Sequence, residues 1–70
     1  MRKRVTLDSS AIAAVTYDSE RFTLDVQFRE GEAYRYFAVP QFVFEALLAA
    51  GSAGAFWNRV KDNYRHKRLD

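Results

Sequence analysis

Tyr34-Arg35-Tyr36 is the segment of this chain best suited to chemistry, with two phenol rings two residues apart and a guanidinium between them. Residues two apart on a strand point to the same face, so the rings would stand side by side. Such a pair either closes a small hydrophobic core or offers a platform on which a planar partner can stack. Arg35 could contact a phosphate, stack, or remain an ordinary solvated edge residue. The second set of candidates is cationic: Arg59, Lys61, Arg65, Lys67 and Arg68. On a continuous helix at 100° per residue, Lys61, Arg65 and Arg68 fall within about 60° of one another. That ridge suits phosphate contact, and it equally suits solubility and a helix C-terminus.

The remaining reactive side chains are sparse. His66 is the single histidine and has no carboxylate or nucleophile at useful spacing. The chain has no cysteine, which excludes disulfides and thiolate metal sites. No paired acids, triad, metal cluster or phosphate loop can be read, so neither an enzyme nor a metal or cofactor site is expected. Ser52-Ala53-Gly54 opens a helix and could hold an anion on its free N–H groups, although a plain N-cap explains Ser52 better. Asn58, beside Phe56 and Trp57, fits a buried hydrogen bond tying helix to sheet as well as it fits a ligand contact.

Seventy residues make one domain with a small core, and the 16% aromatic content supplies much of the apolar area it can bury. Net charge is +2, unevenly spread. Residues 1–4 carry +3, residues 5–58 carry −4 and residues 59–70 carry +3. Basic ends are consistent with phosphate binding, and also with charged, solubilising termini. The longest apolar run is far too short to span a bilayer, and Met1-Arg2-Lys3-Arg4 is followed by no apolar signal segment. A cytoplasmic protein without membrane contact is expected.

These candidates must be positioned by a meander and two helices. Ala11 to Tyr17 alternates, with Ala13, Val15 and Tyr17 on one face. A polar turn, Asp18 to Arg21, leads into strict alternation from Phe22 to Phe28. Antiparallel pairing around that turn sets Tyr17 opposite Phe22 and Val15 opposite Leu24. A third strand runs from about Glu32 to Phe37. A two-residue loop at Glu30-Gly31 would turn both tyrosines to the open face. A three-residue loop, Arg29-Glu30-Gly31, pairs Val26 with Tyr34 and Leu24 with Tyr36 and turns them to the core. Packing favours the second, since each buried ring contributes about 1.5–3 kcal/mol. Pro40 begins a helix with Val43, Phe44, Leu47 and Leu48 on one face. Gly51 ends it, and Ser52 caps a second helix with Phe56, Trp57, Val60 and Tyr64 on a stripe. The expected fold is α+β: a three-stranded antiparallel meander followed by two helices packed on one face. Residues 1–8 are expected as a mobile basic arm, 9–66 as the domain and 67–70 as a tail.

Ser9-Ser10-x-Ile12, Tyr17-Asp18, Leu24-x-Val26-x-Phe28, Gly31, Tyr34-x-Tyr36, Val39-Pro40, Ser52-x-Gly54-x-Phe56-x-Asn58 and Tyr64 together resemble the KTSC domain. The resemblance spans residues 9–64. That family takes its name from the C-terminal domain of some lysyl-tRNA synthetases and also occurs as small stand-alone bacterial proteins. Tyr-x-Tyr is its hallmark. The resemblance implies no catalytic activity and suggests RNA binding, which would use Tyr34, Arg35, Tyr36 and the cations from Arg59 to Arg68. Phe42 in the first helix and Trp57 beside Phe56 make this copy unusually aromatic. Phe42, with a leftover Phe37 or tyrosine pair and an uncovered sheet face, motivates the alternative of a protein-interaction or homodimerisation module.

Overall fold

The structure, a computed structural model, describes residues 2–69. The alternating segment forms β3 (Thr23–Phe28) and pairs antiparallel with β2 (Ile12–Asp18). Tyr17 stands opposite Leu24 and Val15 opposite Val26, a two-residue shift from the pairing expected above. The shift is even, so the inward face is unchanged. It arises because the turn extends to Phe22, which adopts a left-handed φ of 56° and leaves its ring exposed. The Asp18 carboxylate shapes that turn, accepting from the N–H groups of Glu20 at 3.0 Å and Arg21 at 3.2 Å. A bulge between Ile12 and Ala14 breaks the alternation, so Ile12 rather than Ala13 enters the core.

The loop Arg29-Glu30-Gly31 turns the chain into β4 (Ala33–Tyr36), with Gly31 at φ 108°. That conformation is open to glycine and strained for other residues. Val26 faces Tyr34 and Leu24 faces Tyr36, as packing favoured.

The sheet has five strands, not three. Instead of a mobile basic arm, Arg2–Thr6 form β1 beside β2, and instead of a tail, His66–Leu69 form β5 beside β4. Without them, both outer strands of the meander would leave rows of backbone N–H and C=O groups unpaired. The continuous helix needed for a Lys61–Arg65–Arg68 ridge does not form. Its place is taken by a single 3-10 turn, Lys61–Asn63, after which Tyr64 is extended (φ −123°, ψ 145°). The chain then enters β5, where backbone pairing to β4 outweighs the helix preference of the basic residues.

Helices α1 (Gln41–Ala49) and α2 (Ala53–Val60) cover one sheet face. Pro40 stands at the N-cap of α1, and the Ser52 hydroxyl caps α2 by accepting from Ala55 N–H at 3.2 Å. Leu47 and Trp57 are buried against Ile12, Val15, Leu24, Val26 and Tyr36, while Leu48 stays at the margin. The Tyr17 ring stacks on Phe44, and its hydroxyl donates to the Val39 carbonyl at 2.6 Å. Gly54 lets α2 lie on the β1–β2 connection, for a Cβ there would come within 2.8 Å of the Ala11 Cβ. Asn58 is exposed rather than a buried tie to the sheet.

Candidate functional site

The pleat gives the two faces of this sheet opposite chemistry. On the face away from the helices, the strand register places Arg4, Thr16, Asp25, Arg35 and Lys67 in one row across all five strands. Arg2, Asp18 and Thr23 lie in the next row. The Arg65 carbonyl accepts from Phe37 N–H at 2.9 Å and extends the β4–β5 register by one residue, which adds Phe37 and Arg65 to that row. Five cationic side chains, Arg2, Arg4, Arg35, Arg65 and Lys67, thus share a face with Asp18 and Asp25.

Asp25 organises its centre. The Arg35 guanidinium donates to both its oxygens, at 2.7 and 2.9 Å, and Arg2 reaches the same carboxylate at 3.3 Å. The hydrogen bond to Asp25 is the main cause that raises the Arg35 pKa further above its ordinary value. Desolvation pushes the Asp18 carboxyl upward, but the turn N–H groups of Glu20 and Arg21 and nearby positive charge outweigh it and hold the group below its usual value.

On the helix side, α1 and α2 leave the β4–β5 end of the sheet partly uncovered. A cleft of about 570 Å³ opens there, lined by Phe28, Tyr34, Tyr36 and His66 and edged by Glu30, Glu32, Lys61 and Asp62. Tyr36 is 3% exposed and meets Trp57 edge to face at 4.8 Å. Tyr34 is half-buried, with Phe28 at 6.1 Å and His66 at 5.6 Å between ring centroids. Burial raises the Tyr36 pKa above that of a free phenol. Trp57 in turn lies parallel to Tyr64 at 6.0 Å. The side chains of Tyr-x-Tyr therefore belong to the covered layer, whereas Arg35 belongs to the open one.

The sequence matches the KTSC domain family over residues 8–64. The chain belongs to that family. An uncharacterized protein of Stutzerimonas stutzeri is 46% identical over 70 residues, covering 97% of this chain and 99% of that protein. A lysine–tRNA ligase of Nostoc punctiforme is 33% identical over 63 residues, covering 89% of this chain but 11% of the ligase. The crystal structure of a KTSC domain protein from Yersinia pestis superposes with a TM-score of 0.93 at 30% identity, and each chain is covered in full.

In this KTSC domain the candidates read from the sequence do not form one site. Tyr34, Tyr36 and Lys61 line the cleft. Arg68, opposite Tyr34, lies on the cleft side and pairs with Glu32 at 3.5 Å. Arg35, Arg65 and Lys67 stand on the open face, and Arg59 is exposed on the last turn of α2. Arg2 and Arg4 were not among the candidates. Their two-residue spacing was the available signal, but it lay in a segment without apolar alternation. Among the described residues, no cluster of His, Cys, Asp and Glu is placed to hold a metal ion. No described helix is long and apolar enough to cross a membrane.

Proposed function

We propose that this KTSC domain is a non-catalytic cytoplasmic module that binds RNA through the phosphate backbone on its open sheet face. The observation that carries the reading is the concentration of Arg2, Arg4, Arg35, Arg65 and Lys67 on that face, opposed among the described residues by Asp18 and Asp25. Regularly spaced cations on a rigid sheet match a polyanion and read little sequence. The similarity to a segment of a lysine–tRNA ligase favours RNA over other polyanions. Tyr36 acts in the core in this reading, so affinity rests on charge rather than on a tyrosine platform.

A salt titration of binding to short single-stranded and tRNA-like RNA tests it. Affinity falls steeply with salt, with a log–log slope of about 0.7 per phosphate contacted on a single strand. Replacing Arg4 and Lys67 by Ala lowers that slope and weakens binding to all sequences alike. Absence of binding at low salt defeats the proposal.

A second reading is a protein-interaction or homodimerisation module, and a separate region favours it. Phe42 is 70% exposed on α1 and Phe22 52% exposed on the β2–β3 turn. The Phe22 carbonyl accepts from Val39 N–H at 2.8 Å, which ties the turn to the segment leading into α1. Light scattering at micromolar concentration separates the readings, since a strict monomer removes self-association.

A further inference from the structure

We propose that the cleft at the β4–β5 end is a receptor site for a cationic side chain, a lysine or arginine presented by an exposed peptide of a partner protein. The cleft differs from the rest of this basic domain in two ways. Its lining is aromatic, from Phe28, Tyr34 and His66 with Tyr36 at its base, and its edge carries Glu30, Glu32 and Asp62. Aromatic faces attract ammonium and guanidinium groups, and carboxylates around them add charge complementarity. The same carboxylates oppose a phosphate, so the cleft is unsuited to the ligand proposed for the open face.

The domain's own geometry supports a guanidinium here. Arg68 projects on this side of β5 and its Nη1 lies 3.5 Å from Glu32, so one carboxylate at the edge is already met by an arginine. A volume of about 570 Å³ exceeds what a single butyl-ammonium or propyl-guanidinium group fills. The neighbouring residues of the partner peptide would then occupy the outer part of the cleft. Lys61 at the edge repels the ligand and lowers affinity, which makes contact with a peptide more fitting than tight capture of a free amine.

The test is an NMR titration of the full chain with Nα-acetyl-arginine amide, Nα-acetyl-lysine amide, the neutral Nα-acetyl-norleucine amide and cytidine. A short Arg-containing peptide forms a further arm. Both cations are expected to give saturable shifts at Tyr34, His66 and Asp62, norleucine and cytidine none, and the peptide to bind more tightly than the single residues. Asp62→Asn and Glu30→Gln change exposed groups, and together they weaken the cations about three- to tenfold without altering the melt. Tyr34→Leu weakens them about two- to fivefold, as loss of a partly exposed cation–π contact predicts. Equal shifts from norleucine, binding of cytidine in place of the cations, no saturable shift with either cation, or an unchanged affinity in the Asp62/Glu30 double variant would each overturn the proposal. If the free amino acid amides bind as tightly as the peptide, the partner is a small amine and the peptide assignment fails. Because this site and the open face take ligands of opposite charge, loss of RNA binding leaves the result untouched.

Discussion

Tyr34 and Arg35 are adjacent in the chain, yet their side chains lie in different environments. One borders a cleft of rings and carboxylates; the other is held by Asp25 on a cationic sheet face. The covered face is built from apolar residues such as Val15, Leu24, Val26 and Tyr36 that exclude water by packing under α1 and α2, with Tyr34 at its uncovered end. The open face carries charged and hydroxyl side chains, with Phe37 among them and the Arg35–Asp25 pair at its centre. A single period-two alternation thus separates the packed face from the cationic one. The two faces can vary independently as long as the register holds.

The sharpest way to break this comparison is to truncate one residue on each side. Tyr36→Ala should destabilise by about 3–5 kcal/mol, a large part of what a domain this size possesses, and lower the thermal midpoint accordingly. Lys67→Ala should leave the melt within about 0.5 kcal/mol of wild type while weakening RNA. If Tyr36→Ala melted like wild type, the covered face would not be the structural one.

A smaller effect is expected at Gly54→Ala. The new Cβ would come within 2.8 Å of the Ala11 Cβ, and neither atom can rotate away. A loss of about 1–3 kcal/mol in denaturant unfolding follows from forced overpacking. Retained stability would mean that α2 can shift away from the β1–β2 connection.

The faces should also separate by pH. Burial raises the phenol pKa values of Tyr17 and Tyr36 above the unfolded value of about 10. Their contribution is complete below pH about 10 and is lost as pH rises through the folded values. Asp18 behaves oppositely. Its folded pKa lies below the ordinary carboxylate value, so its contribution is complete above pH about 4 and is lost as pH falls through the folded value. Asp18→Asn should flatten the acid limb of a stability–pH curve and act less on the alkaline limb, where burial is the larger cause and the Asp18 charge the smaller one that raises Tyr17.

The smallest expected effect is at Phe42→Ser. An exposed ring on α1 contributes little to the monomer, so stability should stay within about 0.5 kcal/mol. A change in light-scattering mass would instead show that neither sheet face is the main interaction surface.

Much of the central fold was legible because its causes are local. Strict alternation from Phe22 to Phe28 defines a strand and its inward face. Gly31 permits the positive φ of a three-residue loop, and with the gain from burying aromatics this placed Tyr34 and Tyr36 correctly. Pro40 and Ser52 mark the helix starts through a missing N–H and a capping hydroxyl. The pairing shift at Tyr17 was less accessible, because a left-handed Phe22 is a conformation its residue type disfavours. The bulge before Ala14 left no signal distinct from alternation.

Residue types and spacing determined by themselves the three central strands and the two helices, and favoured the inward direction of Tyr34 and Tyr36 that the strand register then decided. Tertiary structure alone decided that Arg2–Thr6 and His66–Leu69 complete the sheet, because these charged segments gain order only from backbone bonds to strands distant in sequence. It also decided the site. A helical ridge of Lys61, Arg65 and Arg68 and a cationic face that includes Arg35, Arg65 and Lys67 make different use of the same segment and share Arg65. Which one exists depends on whether the chain after Asn63 continues its own helix or satisfies the open edge of β4. Pairing that edge joins residues 30 to 36 positions apart, a contact that local periodicity does not encode.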